Sequence, residues 1–261
     1  MLNVNIQLGY HQPISKEKII EANKNENITF TEKIAESDVV LAVGDDSHFL
    51  QTLRQHQFST KPIYVGVNTT GNRGFYTNYL VEDLTYIFNE RLNQPHYSSH
   101  ELLKITVDDR TPVHAINECS IRSSIIKSIA IDVFIDDFKF ERFTGDGLVI
   151  STPTGSTGYN KSLGGAVIDP DLDLIQLTKI APLSNNQTQS FPSPLCLNKE
   201  RKITLKIRQD GNDHPIIGLD SEAYPVFHTK SIDIELTADK IKLLQELDTT
   251  YFKQLQQLFF N

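Results

Sequence analysis

The sequence predicts two dissimilar domains: an α/β N-terminal domain built on a doubly wound sheet, and a β-sandwich C-terminal domain. Three observations predict them. Residues 1–90 alternate strand-like and helix-like segments, the grammar of a parallel sheet with helices on its faces. Leu92 to His100 turns to Asn, Gln, Pro, Ser and His without periodicity, which marks a boundary. From Leu102 to about Lys240, short apolar strands follow one another with turn residues between them, as in a sandwich. The expected division is 1–98, 99–240 and a helical tail over 241–261.

Taken in order, Asn3 to Leu8 alternates as a short strand, and Ser15 stands as the N-cap of a helix reaching Asn23, with Glu17 in its first turn. Ile28-Thr29-Phe30 reads as a short strand. Val39 to Val43 is a continuous apolar run, the kind buried in parallel sheets. After Gly44-Asp45-Asp46-Ser47, the residues Phe49, Leu50 and Leu53 share one helical face. Pro62 to Val67 is another buried strand; it leads into the loop Asn68 to Tyr76, and Val81 to Arg91 predicts a further helix. Later strands are expected at Leu103 to Val107, Val113 to Ile116, Ile129 to Ile135, Phe138 to Arg142, Leu148 to Ser151, Ile203 to Ile207 and Ile232 to Glu235. Pro170 to Ile180 is the one helical piece expected among them. The tail from Ile241 to Phe260 places Leu243, Leu244, Leu247, Phe252, Leu255 and Leu258 on one stripe. With few basic residues on its polar side, that stripe predicts packing against the first domain rather than on a membrane.

Composition excludes several classes of function. The 261 residues are 39% hydrophobic and 22% charged, as in ordinary globular proteins. A net charge of −8 offers no basic field to nucleic acid or to an anionic membrane. No apolar run approaches the roughly 20 residues of a spanning helix. Met1 to Ile6 alternates like a strand and lacks the basic start of a signal peptide. Cys119 and Cys196 are too few for a disulfide framework or a structural zinc site, so a reducing, cytoplasmic setting is expected. The eight histidines show no metal-ligand spacing, and no metal site is expected from the chain's own residues.

Four stretches concentrate polar groups at predicted strand ends. Gly44-Asp45-Asp46-Ser47 carries carboxylates suited to taking a proton from a hydroxyl or meeting a metal-bound phosphate; read alone, the position strongly favours helix N-capping by Asp46 or Ser47. Asn117-Glu118 pairs an amide with a carboxylate that can hold ribose hydroxyls; read alone, it is also an ordinary turn. Thr144-Gly145-Asp146-Gly147 reads alone as a tight hairpin. Ser151 to Gly165 is dense in hydroxyls and glycines, with Tyr159 as a flat ring. Turn chemistry and ligand chemistry use the same residues there.

Taken together, the four resemble the NAD kinase family, whose pattern runs Gly-Gly-Asp-Gly-Thr, Asn-Thr-Gly-x-Leu-Gly-Phe, Asn-Glu, Gly-Asp-Gly, then Thr-Pro-Thr-Gly-Ser-Thr-Ala-Tyr and Ser-x-Gly-Gly. This chain has Thr152-Pro153-Thr154-Gly155-Ser156-Thr157-Gly158-Tyr159, Ser162-Leu163-Gly164-Gly165, Ala115-Ile116-Asn117-Glu118 and Gly145-Asp146-Gly147. Glu141 to Leu148 is most similar to the short NAD kinases of Gram-positive bacteria. The resemblance covers nearly the whole chain, and a hairpin turn does not explain that agreement.

The resemblance implies an α/β domain followed by a β-sandwich domain, with NAD bound between them, in a homotetramer. It implies transfer of phosphate from ATP (or polyphosphate), with Mg²⁺, to the adenosine 2′-hydroxyl of NAD, giving NADP. By the same resemblance, Asn117 and Glu118 hold the adenosine ribose. Thr154, Thr157, Gly158 and Tyr159 belong to the stretch around the adenine, with Ser162 beside it and Phe75 and Tyr76 lining the pocket. Asp146 is a carboxylate on the nicotinamide side, with Ala181 and Asp220 as neighbours. Gapless placement of Phe49-Leu50 makes Asp46 the catalytic carboxylate; Asp45, Ser47 and His48 then replace two glycines and a threonine. A shift of one residue would make Asp45 the base; in the gapless placement it stands with the NAD-binding residues. A non-glycine residue in a glycine-only conformation costs on the order of 1–3 kcal/mol, and an added carboxylate repels phosphate unless a metal intervenes. Arg73, where an apolar residue is usual, would offset the extra acid. These departures keep open an alternative, a non-catalytic NAD- or NADP-binding paralogue acting as a dinucleotide sensor. Cys119, beside the Asn-Glu pair, is read as a small buried filler.

Overall fold

The structure is a computed structural model that describes residues 1–184, 189–208, 211–212, 214–224, 226, 228–246 and 251–260. The chain forms two units, one comprising 1–100 with 240–261 and the other 101–239.

In the first unit, β1 (Leu2–Leu8), β2 (Ile28–Phe30), β3 (Val39–Gly44), β4 (Ile63–Asn68) and β5 (Tyr79–Leu80) are joined by parallel ladders. β3 lies between β1 and β4 and is buried along its whole length, which its unbroken Val-Val-Leu-Ala-Val run requires. The crossovers carry α1 (Lys16–Glu21), capped by the Ser15 side chain, and α2 (Asp46–Gln55), which sinks Phe49 and Leu53 completely into the core. Each such side chain stabilises by about 1.5–3 kcal/mol relative to exposure. The helix expected over Val81 to Arg91 is broken: only α3 (Leu84–Asn89) is α-helical, between single 3₁₀ turns at 81–83 and 91–93.

The second unit contains β6 (Tyr97–Val107, entering from the first unit), β7 (Val113–Ala115), β8 (Glu118–Arg122), β9 (Ile129–Ile135), β10 (Phe138–Gly145), β11 (Gly147–Ser151), α4 (Tyr159–Ser162), β12 (Leu174–Ile180), β13 (Leu195–Asn198), β14 (Ile203–Ile207), β15 (Ile216–Leu219), β16 (Glu222–Tyr224) and the start of β17 (Ser231–Leu244). One sheet runs β13-β12-β11-β8-β15-β16, and β10-β9-β14-β17 are neighbours in another. Inward residues of both meet in one core: Cys119, Ile121, Leu148, Ile150 and Ile217 from the first, Ile131, Val133, Leu205 and Ile232 from the second. β14 shows the alternation, with Ile203, Leu205 and Ile207 buried and Lys206 exposed, as two packed sheets demand.

Two elements differ from the sequence expectation. Pro170 to Ile180 is not helical: β12 pairs antiparallel with β11 and β13 and buries Ile175, Gln176, Leu177 and Thr178. Strands on both sides supply the ladder, and such pairing overrides weak local preference. The tail is not helical from 241: Ile241 to Leu244 end β17, and Lys242 and Leu243 pair with Ile63 and Tyr64 of β4. Backbone bonds to the β4 edge make Leu243 and Leu244 sheet residues, and only α5 (Tyr251–Phe260) is helical. Leu247 lies outside the described residues.

Candidate active site

In the first unit the polar loop follows β3. Asp45, rather than Asp46 or Ser47, caps α2: its backbone is still extended, and its Oδ1 accepts from the His48 amide at 2.8 Å, whereas Asp46 is already the first helical residue. Asp46 opens α2, where the helix dipole favours a negative charge. Its carboxylate closes on the loop after β4: Oδ2 accepts from the Phe75 amide at 2.7 Å, and Oδ1 accepts from the amides of Tyr76 at 3.0 Å and Thr77 at 2.9 Å and from Thr77 Oγ1 at 2.7 Å. Asn68 Nδ2 donates in turn to Thr77 Oγ1 at 2.9 Å. Gly74 permits this approach, since a Cβ there would stand 2.3 Å from Asp46 Oδ1. The carboxylate is therefore fixed in direction, while Oδ2, with one donor, keeps a lone pair for a further proton.

The aromatic pair divides its work. Tyr76 is 3% exposed and stacks face to face on Phe49, with centroids 5.1 Å apart, whereas Phe75 is half-buried and meets Tyr76 edge-on. Their amides share the Asp46 carboxylate. His48 folds back towards the Gln7 carbonyl, with Nε2 at 3.1 Å, and its ring lies under Gly44. Arg73 does not offset Asp45: its guanidinium reaches the Asn78 carbonyl and Asp83 Oδ2, the latter at 3.2 Å. The carboxylate it pairs with stands in the 3₁₀ turn at 81–83, beyond β5.

In the second unit, Asn117 and Glu118 stand at the start of β8 with their backbone bracketed. Asp220, in left-handed backbone between β15 and β16, accepts from the amides of Asn117 at 2.7 Å, Ile116 at 3.2 Å and Glu118 at 3.4 Å. Thr152 Oγ1 donates to the Ile116 carbonyl at 2.6 Å, and its amide donates to the Asn117 carbonyl at 2.9 Å. Gly155 lies so close that a Cβ would stand 2.0 Å from the Asn117 oxygen. Glu118 Oε2 is buried with no hydrogen-bond partner among the described residues. Burial, reinforced by the Asp220 charge, pushes its carboxyl up to about 8. Such a group can donate to or accept from a hydroxyl brought against it.

The Thr154–Thr157 turn and α4 continue from this point. Thr154 is buried, Thr157 and Tyr159 are half-buried, and Gly158 and Ser162 are exposed. A Cβ on Gly158 would stand 3.4 Å from Glu118 Oε2, so the Thr154–Tyr159 stretch and the Asn-Glu pair are adjacent. Asn160 ties α4 down: its Nδ2 reaches the Ser156 and Ala166 carbonyls and Gln176 Oε1, and its Oδ1 accepts from Thr178 Oγ1 at 2.5 Å.

The structure regroups one expected set. Asp146 is exposed, its amide donates to the Ile180 carbonyl, and Ala181 follows directly in left-handed backbone, so these two residues are neighbours. Asp220 is not with them. It sits by Asn117, at the Ser151 end of β11, whereas Asp146 precedes the Gly147 end. At about 3.3 Å per residue the two ends lie roughly 13 Å apart. The antiparallel register separates residues that the motif order cannot. Sequence reasoning missed Thr77, which carries no motif signal, and Thr152, whose signal lay unused in the Thr-Pro-Thr wording. Cys119 is fully buried, which pushes its thiol up and leaves it a filler.

A family model described as the ATP-NAD kinase C-terminal domain matches residues 116–245. NAD kinase 2 of Halalkalibacterium halodurans is 38% identical over 260 residues, covering 98% of each chain. NAD kinase 2 of Bacillus subtilis is 40% identical over 238 residues, covering 88% of this chain and 87% of that one. Among solved structures, yeast NADH kinase complexed with NADH superposes with a TM-score of 0.84 at 20% identity, covering 100% of this chain and 88% of that one. An Archaeoglobus fulgidus NAD kinase in complex with ATP gives 0.79 at 22% identity, covering 98% and 99%. The two structures share the fold, and the full-length sequence identities go further: this chain belongs to the NAD kinase family.

Proposed function

We propose that this protein phosphorylates the adenosine 2′-hydroxyl of NAD with ATP, giving NADP and ADP. The observation that carries the chemistry is the Asp46 carboxylate, aimed by three amides and a hydroxyl and keeping a lone pair on Oδ2. In this reading Oδ2 takes the 2′-hydroxyl proton while that oxygen bonds to the γ-phosphorus and the bond to the ADP oxygen breaks. Phosphoryl transfer relies on positioning and charge stabilisation, and the divalent ion enters with the nucleotide as Mg-ATP, held mainly by phosphate oxygens and water. Asn117 and Glu118 take the adenosine ribose. Thr154, Thr157, Gly158, Tyr159 and Ser162 take the adenine side, and Asp146 with Ala181 takes the nicotinamide side. The roughly 13 Å between those groups along β11 suits an extended dinucleotide. Asp220 acts by bracketing Asn117 and Glu118, and Phe75, half-buried beside the buried Tyr76, is the one of the aromatic pair that can meet a ligand. The family resemblance supports a homotetramer in a cytosolic setting, which sedimentation velocity and cell fractionation test.

The Asp45 geometry supports activity despite the altered loop. Asp45 adopts ordinary extended backbone and caps α2, so it pays no strain for replacing a glycine. The test measures NADP formation with saturating Mg-ATP for the parent, Asp46→Asn and Asp45→Asn. Asp46→Asn loses about 10²–10⁴-fold in turnover, the range for a lost general base, yet keeps the NAD-induced thermal shift. Asp45→Asn stays within about threefold of the parent, because Asn caps a helix as well as Asp does. A dead Asp45→Asn beside an active Asp46→Asn would move the base by one residue. NAD binding by a parent that forms no NADP would favour the sensor alternative.

A further inference from the structure

The two peptide units that hold Asp46 are gripped from their other side by α5. The Phe75 and Tyr76 amides point to the Asp46 carboxylate. The carbonyls of the same two planar peptides, those of Gly74 and Phe75, both accept from Gln254 Nε2, at 3.3 and 2.6 Å. Gln254 is 9% exposed, the one buried residue of α5. Tyr251, three positions earlier on the same helix face, packs edge-on against Phe75 with centroids 6.4 Å apart. A trans peptide is rigid, with its N–H and C=O on opposite edges. Fixing the two carbonyls therefore fixes the direction of the two amides, and a donor on each carbonyl polarises the amide opposite.

We propose that Gln254 is a positioning residue for phosphoryl transfer: through the Gly74–Phe75 and Phe75–Tyr76 peptides it sets the direction of the Asp46 carboxylate. The inference rests on the reading of Asp46 as the base. Neither the motifs nor the resemblance assigns a role to α5, and 179 positions separate Gln254 from Phe75. The amide side chain is specific to the task, since one NH₂ supplies both donors and adds no charge beside the loop.

The test compares Gln254→Ala and Gln254→Glu with the parent and with Asp46→Asn, at temperatures well below each variant's melting point. Glutamate is isosteric but at neutral pH presents oxygens to two carbonyl oxygens. Expected turnover falls about tenfold for Gln254→Ala and further for Gln254→Glu, in line with the cost of a small misplacement of a catalytic group. The KM for NAD changes by less than about threefold, and the Phe75 and Tyr76 amides exchange faster with deuterium. Lowering the pH from about 8 to about 6 raises the Gln254→Glu rate relative to the parent, because a protonated glutamic acid regains a donor; Gln254→Ala shows no such recovery. Parent-like turnover in both variants, with Asp46→Asn dead, overturns the proposal. Melting temperatures that fall while kcat and the pH profile stay unchanged also overturn it, by leaving Gln254 a purely structural part. An active Asp46→Asn instead overturns the assignment of the base on which the inference stands.

Discussion

Glu118 and Asp46 show how differently two carboxylates of one chain are treated. Asp46 accepts four hydrogen bonds, whereas Glu118 buries Oε2 with none among the described residues. The consequence for Glu118 is measurable. Its folded carboxyl lies near 8 against an ordinary 4.5, so between those values the native state holds a proton that the unfolded chain has released. Stability from this group is complete below about pH 4.5, falls as pH rises towards 8, and then levels. Glu118→Gln removes the titration. In the absence of nucleotide the variant should be more stable than the parent at pH 8.5, by on the order of 2 kcal/mol after discounting for partial solvation, and unfold at a correspondingly higher temperature. The gain should vanish near pH 4.5. A constant difference across that range would mean that Glu118 is ionised in the native protein at neutral pH. The identity of Glu118 was legible from the Asn-Glu wording; its missing partner was not, because burial is set by chain far from it in sequence.

At the scale of elements, the polar cluster of each unit is a strand end followed by a tight turn that another segment closes upon. β3 runs into α2 and the 74–77 loop folds over it; β11 runs into the Thr154–Thr157 turn, and the Asn117 backbone lies against it. Gly155 is the tightest point, with backbone rather than a flexible side chain in the way of any Cβ. Gly155→Ala should therefore cost about 1–3 kcal/mol, the usual range for overpacking, and should weaken NAD binding by pushing Asn117 out of line. Thermal unfolding and NAD titration check both parts; a parent-like variant would show that the turn can shift freely. Local rules found most strands and the Ser15 cap, but placed the α2 cap at Asp46 or Ser47 where Asp45 stands. They failed where the partner decided: β12 is a strand because β11 and β13 flank it, and Ile241–Leu244 is a strand because β4 has an edge to offer.

For the whole molecule, ligand linkage joins site and stability. NAD at 100 times its dissociation constant should add about 2.7 kcal/mol, or roughly 5 °C or more for a chain of this size. Asn117→Ala should shrink that shift without lowering the melting point of the free protein by more than about 1 kcal/mol, because Asp220 and Thr152 hold the backbone of residue 117 whatever its side chain. A full NAD-induced shift in that variant would remove the Asn117 amide from the ribose. The sequence by itself determined the two fold classes, the runs that form β3, β4, β9 and β14, the cap at Ser15, and the family, because these depend on neighbouring residues or on wording kept in order. Tertiary structure alone decided which donors aim Asp46, which end of β11 Asp220 attends, and that α5 grips the Gly74–Phe75 loop. Those contacts join residues 29, 103 and 179 positions apart. Hydrogen bonds act over about 3 Å, so only the folded chain, not the spacing of residues along it, brings such partners within reach.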